Sequence, residues 1–254
     1  VDHLWDSDVD TKSHVFDNTL TLRNTNWLWY RESLYYQTFD YHKYQPNRNY
    51  QHAFLMPINK ARPHKDLVIE RLESVLSNGL YSYADRGRLL PNDFDRQQQG
   101  YWLYYFNPEW YDTTCFSVVV ESYMRSNAWV KNPGGVNYKT EVSEKSFKPI
   151  AYRHPFITFG SVDTLKYMQR EGFETFDNLW DESYDSIIDD DQRHQAVART
   201  VIGAVNEYTQ GNLKFDKLTE QKLAHNHARF FDTALIERRF RDEIIGDILS
   251  FVNL

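Results

Sequence analysis

Short apolar runs and amphipathic stretches alternate along residues 51–160. The run His52–Ile58 predicts a buried strand, and Pro63 after it suits the first turn of a helix. The apolar residues of that helix recur at the 3.6-residue period: Leu67, Val68, Leu72, Val75 and Leu76. Asn78-Gly79 ends the helix and Leu80–Tyr83 predicts the next strand. The segment therefore predicts a βαβ unit.

Two more strands and a short helix follow the same rhythm. The continuous apolar run 115–120 predicts a fully buried parallel strand, with Glu121 directly at its C-terminal edge. Residues 126–140, which contain Pro and two Gly, predict a mobile loop. A short helix is expected over 143–153 despite its Pro, and a buried strand over 155–160.

The rest of the chain changes gradually to a helical pattern. Ser161 can cap a helix that Gly172 ends, and residues 173–176 predict a brief final strand. Beyond about residue 188 the pattern is purely helical. One apolar stripe contains Val197, Val201, Ile202 and Val205. Further helices carry Leu223, Phe230, Phe231, Leu235, Ile244, Ile245, Ile248 and Leu249.

Alternating strands and helices predict an α/β fold with a Rossmann-like, doubly wound parallel sheet. Residues 50–187 form the Rossmann-like domain in this interpretation, and 188–254 form a C-terminal helical segment. Residues 1–49 form a short aromatic N-terminal segment, in which 20–22 and 27–30 predict short strands.

Composition and charge narrow the class of protein. Hydrophobic residues make up 41% of the chain and aromatics 16%, which supports a packed core and argues against disorder. The net charge of −7 disfavours non-specific binding to nucleic acid. A single cysteine, Cys115, forms no internal disulfide and lies in an apolar run, so a buried structural thiol in a reducing compartment is favoured. Without a signal peptide or a 20-residue apolar stretch, we expect no membrane span and a cytoplasmic location.

Charged side chains concentrate where the predicted strands end. Ligands of such sheets bind beyond the C-terminal ends of the strands, which here means residues 59–65, 121–125 and 143–148. The first place supplies a polar, mostly basic set at a helix start: Asn59, Lys60, Arg62, His64 and Lys65. This set predicts a phosphate site, and a solvated basic turn is the alternative. The chain has neither a P-loop nor a dinucleotide-binding fingerprint.

The third place carries an acid and two bases at the start of a helix. Glu144 can accept two hydroxyls of a ribose, and Lys145 with Lys148 one turn further on can hold a diphosphate. Glu121 would lie opposite. Ordinary helix capping by Glu144 is the alternative interpretation.

Three segments together resemble the donor-binding signature of fucosyltransferase-type GT-B glycosyltransferases: residues 116–122, 143–150 and 154–160. In that family a strand ending near a Glu precedes a Thr-Glu-Lys helix, and a small apolar strand follows it. The resemblance implies that Glu144 contacts the nucleotide ribose, although Ser143 stands where the family usually has Thr.

The resemblance extends to neighbouring segments. Residues 54–76 resemble the opening βα unit of that family, which implies a phosphate-binding role for Arg62. The stretch 27–184 also resembles uncharacterised glycosyltransferase-like proteins of large tailed phages of marine bacteria. A phage origin would place the protein in the cytoplasm of a bacterial host.

The function implied is transfer of a sugar from a nucleoside-diphosphate sugar to an unknown hydroxyl acceptor, which is a glycan, a protein or a modified DNA base. The expected mechanism needs no metal and no cofactor beyond the donor. Candidate catalytic bases are Glu121, His64 and, more weakly, Asp112. Residues 1–49 would be an abbreviated acceptor region. Two alternatives stay open: a non-catalytic phage structural or host-interaction protein that retains the fold, and a DNA-base glycosyltransferase.

Possible metal ligands have simpler explanations. Asp6–Asp10 resembles the start of a calcium loop but lacks its Gly and bidentate Glu, so a solvated turn is favoured. Asp189–Asp191 precedes a helix, where acids favour the dipole. His225 and His227 are two apart on a predicted helix and face different directions. His154 is expected to pack at the start of a strand.

Overall fold

A computed structural model describes residues 27–91, 107–122, 131–132, 135–136, 142–246 and 248–249. Its strands are β1 (His52–Ile58), β2 (Gly79–Tyr83), β3 (Thr114–Val120), β4 (Lys131–Asn132), β5 (Gly135–Val136) and β6 (Phe156–Phe159). Its helices are α1 (Trp27–Gln37), α2 (Pro63–Arg71), α3 (Pro108–Asp112), α4 (Glu144–Ala151), α5 (Thr164–Arg170), α6 (Asp190–Thr209), α7 (Lys217–Phe230) and α8 (Thr233–Phe240).

Strands β1, β2, β3 and β6 form one sheet in the order β2-β1-β3-β6, and every pair is parallel. The prediction of an α/β fold with a parallel sheet is confirmed. The chain moves from β1 outward to β2, and from β3 outward to β6 on the other side. The direction of winding therefore reverses between β1 and β3, and sheets of this kind bind ligands outside the carboxyl ends of their strands at such a reversal.

Helices cover both faces of the sheet. Because parallel crossovers are right-handed, the opposite directions of winding place α2 and α4 on opposite faces. Helix α6 packs on β1, β6 and α2, whereas α4 packs on β3, α1 and α7. The sheet is thus buried on both sides, and all seven residues of β3 are buried. Burial raises the pKa of the Cys115 thiol in β3 to about 12, which suits a structural residue.

The ends of the C-terminal helices follow ordinary capping chemistry. The Asp189 carboxylate accepts the N–H of Gln192 at 2.8 Å at the start of α6. Asp216 and Asp232 accept backbone N–H groups in the same way at the starts of α7 and α8. The acidic run before α6 is therefore a helix start, as its sequence predicts.

The prediction of a strand at residues 27–30 is wrong, because these residues begin α1. Trp29, Ser33 and Tyr36 are buried at a spacing of four and three residues, which is the period of a helix. The predicted strand at 20–22 and the aspartates 6–10 lie outside the described residues.

The prediction of a strand at residues 173–176 is also wrong. Its backbone is satisfied by side chains instead of by a neighbouring strand. The Asn226 side chain of α7 accepts the N–H of Glu174 at 2.7 Å and donates to its carbonyl at 2.8 Å. Lys222 of α7 donates to the carbonyl of Thr175 at 2.8 Å. The segment therefore docks on α7 and does not extend the sheet.

Ser161 does not cap α5, which begins at Thr164, two residues later than that prediction. Asp163 precedes the helix in the left-handed conformation, with φ of 61°. The Asp185 carboxylate accepts the N–H groups of Leu165 and Lys166 at 2.9 and 3.1 Å. A residue twenty positions away thus supplies the cap, which a local pattern does not reveal.

Several apolar residues predicted to face the core are exposed: Leu67, Ile245, Ile248 and Leu249. The helix after β1 ends at Arg71, and a 3-10 segment follows it at Glu73–Asn78. Val68 in α2 is buried, as are Leu72 and Val75 beyond its end, whereas Leu67 is exposed. The loop predicted over 126–140 contains a paired segment, since β4 and β5 form an antiparallel pair. Its other residues lie outside the described ranges.

His154 links the starts of β6 and β3, as a packing residue would. Its Nε2 donates to the carbonyl of Thr114 at 2.7 Å, which leaves Nδ1 to accept from the Ser117 hydroxyl at 2.8 Å. This arrangement requires the neutral ring. Burial lowers the pKa of His154 to about 3, so the folded protein does not protonate it under mildly acidic conditions.

Stability is expected to fall on acidification below pH 6.5, because the unfolded state protonates His154 and the folded state does not. The loss through this residue is about 1.4 kcal/mol for each pH unit between 6.5 and 4.5. Urea unfolding at several pH values measures it. His154→Gln should show a shallower slope, and His225→Gln, at an exposed position, should keep the wild-type slope. Equal slopes for the wild type and His154→Gln would contradict this role of the buried ring.

Two glycine substitutions should have opposite effects on stability. A Cβ at Gly79 in β2 would meet the ring of Phe54 on β1, so Gly79→Ala should lower the free energy of unfolding by about 1–3 kcal/mol. A Cβ at Gly203, in the interior of α6, meets no described atom within 4 Å. Gly203→Ala should therefore stabilise the protein by about 0.5–1 kcal/mol. Urea unfolding compares both variants with the wild type, and a stabilised Gly79→Ala would refute the close packing of β2 on Phe54.

Candidate functional site

Three segments meet at the reversal of winding: residues 59–65, 121–122 and 143–148. We call these three segments together the crevice. The first follows β1 and contains the amino end of α2, and the second follows β3. The third contains the amino end of α4. The sequence places candidate residues on all three segments, and the structure brings the segments together.

Arg62 ties the first segment to the second. It is the residue before α2, and its Nη1 donates to the carbonyl of Ser122 at 2.9 Å. The turn after β1 and the turn after β3 are therefore adjacent. The guanidinium lies beside the amino end of α2, where the helix dipole already favours an anion.

Glu121 ties the second segment to the third. Its Oε1 accepts the N–H of Ser143 at 3.1 Å and the hydroxyl of Ser146 at 2.7 Å, and its Oε2 accepts the Ser143 hydroxyl. The residue is fully buried. A carboxylate with both oxygens engaged below the surface holds α4 in place. This geometry suits a positioning role, and the catalytic role expected of Glu121 stays a prediction.

Glu144 and Lys145 form an ion pair at the amino end of α4. The Lys145 Nζ lies 2.7 Å from the Glu144 Oε1 and donates to the Ser143 hydroxyl at 3.1 Å. Burial by itself would raise the pKa of Glu144, but Lys145 and Lys148 together lower it to about 2. Glu144 is therefore an ionised acceptor at neutral pH, and its side chain is 16% exposed at the crevice.

Lys148 lies beneath this pair and not at the surface. It is 5% exposed. Burial and the charge of Lys145 lower the pKa of Lys148 to about 8, against the opposing effect of Glu144 and Glu32. Its charge supports Glu144 from within the protein, and direct contact of Lys148 with a diphosphate stays a prediction.

Glu32 is a member of the charge network that the sequence analysis missed. It lies on α1, is fully buried, and its Oε1 accepts from the Arg31 guanidinium at 2.7 Å. Burial raises the pKa of Glu32, although Arg31 opposes the shift. The helical spacing of buried residues in α1 is the signal that would have placed Glu32 on the inner face.

Lys65 combines deep burial with the absence of a counter-ion. It is 3% exposed, and among the residues described it makes no hydrogen bond or ion pair. Burial, with repulsion from Lys145 and Arg62, lowers the pKa of Lys65 to about 8, and Glu121 and Glu144 offset this only in part. Such a perturbed group in a crevice is typical of a functional site.

The remaining candidates of the first segment lie at the rim. Lys60 is exposed, and Asn59 and His64 are half-buried. The Asn59 carbonyl accepts the N–H of Asp85 at 3.0 Å, and Asp85 in turn accepts the N–H of Ala61 at 3.0 Å. These bonds fix the backbone of the turn. His64, within the first turn of α2, remains a candidate base at the edge of the crevice.

Asp112 lies at the other end of the sheet. It is the last residue of α3 and lies just before the amino end of β3, where its carboxylate accepts from the Tyr44 hydroxyl at 2.5 Å and from the N–H of Asn47 at 2.8 Å. The structure therefore contradicts its proposed role as a base in the crevice. His225 and His227 diverge as predicted, since His225 is exposed and His227 is buried.

The described part of the chain contains no group of three or more His, Cys, Asp or Glu residues placed to hold a metal ion. Within the same residues, no helix has the length and apolar character needed to cross a bilayer.

Comparison with known proteins assigns no family. No protein-family model matches the chain, and neither a curated protein nor a solved structure matches it significantly. The resemblance to fucosyltransferase-type enzymes stays a prediction, and a functional proposal must rest mainly on the geometry of the crevice.

Glu121→Gln tests the attachment of α4. The amide presents a donor where Glu121 only accepts, so at least one of the Ser143 and Ser146 bonds is lost. We expect the free energy of unfolding to fall by about 1–3 kcal/mol. Urea unfolding measures this, with Glu70→Gln at an exposed position of α2 as a control that should change little. An unchanged Glu121→Gln variant would contradict the proposed attachment.

Proposed function

We propose that the protein is a glycosyltransferase that binds a nucleoside-diphosphate sugar in the crevice and transfers the sugar to a hydroxyl acceptor. One observation carries the proposal: three cations, Arg62, Lys65 and Lys145, gather with two helix amino ends beside the ionised Glu144. The ligand expected there has negative charge and hydroxyl groups. A nucleoside diphosphate has both.

The anionic part of the donor would lie between α2 and α4. Backbone N–H groups at helix amino ends and the helix dipoles favour phosphate oxygens. Arg62 can make bidentate contacts to phosphate, and Lys145 adds a point charge on the opposite side. At the start of α2, Pro63 has no N–H, and the N–H groups of Lys65 and Asp66 donate to the Arg62 carbonyl at 2.8 and 3.0 Å. This end of the helix would therefore act on the ligand through its dipole and its cations.

Glu144 would bind the hydroxyls of the donor. With a pKa lowered to about 2 by Lys145 and Lys148, in spite of its burial, it is fully ionised and accepts two hydrogen bonds. The resemblance to fucosyltransferase-type enzymes assigns those hydroxyls to the ribose. Because Glu121 and the two serines fix α4, the carboxylate is held in place before the ligand arrives.

Sugar transfer would follow from charge stabilisation. As the sugar leaves, charge develops on the diphosphate, and Arg62, Lys65 and Lys145 with the helix amino ends stabilise it. Protein cations perform this role in the proposed scheme, without a metal ion. His64 at the rim is the candidate base for the acceptor hydroxyl. In GT-B terms the parallel sheet is the donor-binding half, and an acceptor region would come from residues 1–49 or from a partner chain.

A thermal-shift screen with UDP, GDP, CDP and TDP and their sugars tests the proposal. At least one should raise the unfolding temperature of the wild-type chain. At a ligand concentration a hundredfold above the dissociation constant, binding should increase the free energy of unfolding by about 2.7 kcal/mol. Arg62→Ala combined with Glu144→Ala should abolish the shift. Lys214→Ala is the matched control, because it removes an exposed cation away from the crevice. The next residue, Phe215, packs on Tyr50, which precedes the amino end of β1, whereas the crevice lies at the carboxyl end.

Transfer itself is then measured with the donor that binds. Release of free nucleoside diphosphate in the presence of candidate acceptors should depend on Arg62 and Glu144. If none of these nucleotides shifts the unfolding temperature, the proposal fails.

A further inference from the structure

Lys65 stands out in the crevice because it is buried and yet forms no hydrogen bond or ion pair with any residue that the structure describes. It occupies the third position of α2, and Arg62, the residue before that helix, is one of the cations that act on it. Its neighbours across the crevice are Lys145 and Glu144 on α4, and Glu121 after β3. The nearest charges are thus of both signs, and none of them forms an ion pair with Lys65 in the described structure.

An ammonium group in such a position destabilises the protein by itself. Removing it from water carries a large penalty unless it is paired and hydrogen-bonded. Two further cations nearby increase the penalty. A buried lysine that only packed could be an apolar residue of similar length without loss. The penalty is therefore explained best by an anion that pairs with the ammonium when it binds.

We propose that Lys65 is an anion-binding residue of the crevice and that its ligand is the doubly charged terminal phosphate of a diphosphate ester. This inference rests on the proposed function, since it names the part of the nucleotide that Lys65 binds. A terminal phosphate carries one more charge in a diphosphate monoester than in the same diphosphate capped by a sugar. Lys65 should therefore favour the free diphosphate over the capped form.

Methyl diphosphate is the probe, because it carries the diphosphate without a base or a sugar. Calorimetric titration of the full chain at pH 7 should give at least tenfold weaker binding for Lys65→Met than for the wild type. Dimethyl diphosphate, in which both phosphates are capped, should bind the wild type more weakly, and Lys65→Met should narrow that difference. Lys214→Ala should match the wild type for both probes.

The unfolding temperature separates a binding role from a structural one. Lys65→Met keeps the buried stem and removes an unpaired ammonium, so the ligand-free variant should unfold at the same or a higher temperature than the wild type. A residue needed only for folding would lower the unfolding temperature and the affinity together. Lys65→Arg keeps the charge and should retain most of the affinity.

The pH dependence identifies the titrating group. Because burial and the neighbouring cations lower the pKa of Lys65 to about 8, binding above pH 8 requires the uptake of a proton. Wild-type affinity for methyl diphosphate should therefore fall up to about tenfold for each pH unit above 8. The probe does not oppose this trend, since phosphate esters complete their second ionisation near pH 6.

Lys148 requires a control, because burial and Lys145 lower its pKa to about 8 as well. Lys65→Arg stays charged throughout this range and should bind with no fall between pH 8 and 9. A fall that persists in Lys65→Arg would assign the titration to Lys148 and overturn the role of Lys65.

The outcomes also separate this inference from the proposed function. Unchanged methyl diphosphate binding in Lys65→Met, with nucleotides still bound and sugar transferred, would overturn the inference alone. Lys65-dependent binding of methyl diphosphate without binding of any nucleotide sugar would sustain the inference and overturn the function. A wild-type chain that binds neither probe nor nucleotide would overturn both.

Discussion

The carboxylate of Glu121 is the constraint on which the crevice depends. It directly follows β3, in which every residue is buried, and it accepts three hydrogen bonds from Ser143 and Ser146 at the start of α4. The donation from Arg62 to the carbonyl of Ser122 is a second link across the crevice. Since α2 and α4 lie on opposite faces of the sheet, these bonds help to hold their amino ends together. A buried acid thus sets the geometry of the surface residues around it.

Charge continues from this anchor into the interior. Glu144 at the crevice is supported by Lys148 beneath it, and Lys148 in turn lies near Glu32 on α1. Helix α1 is therefore part of the structure that sets the ionisation of Glu144, although it comes from a segment outside the βαβ pattern. Buried charges of alternating sign reduce one another's desolvation penalty, and each becomes costly if its neighbour is removed. The ionisation of Glu144 in the crevice therefore depends on the docking of α1 on α4.

The sequence predicts the parts of this structure that depend on local pattern. The strands at 52–58 and 115–120 follow from continuous apolar runs, and the helix at 144–151 follows from its capping serine despite Pro149. The sequence fails where a distant side chain decides the outcome, as with Asp185 at the start of α5 and Asn226 beside residues 173–176. For the crevice, strand order explains why candidates on three segments meet. The engagement of Glu121 and the isolation of Lys65 depend on three-dimensional contacts that no spacing encodes.

The two glutamates of the crevice show how similar residues acquire different uses. Glu121 is enclosed by hydroxyl and amide donors, so the protein itself already engages both of its oxygens. Glu144 faces cations instead of neutral donors, and it stays ionised while part of its side chain remains exposed. Lys65 is the counterpart of Glu144, a buried charge that no described residue pairs with. An unpaired ammonium beside a partly exposed carboxylate would favour a molecule with phosphate and hydroxyl groups close together.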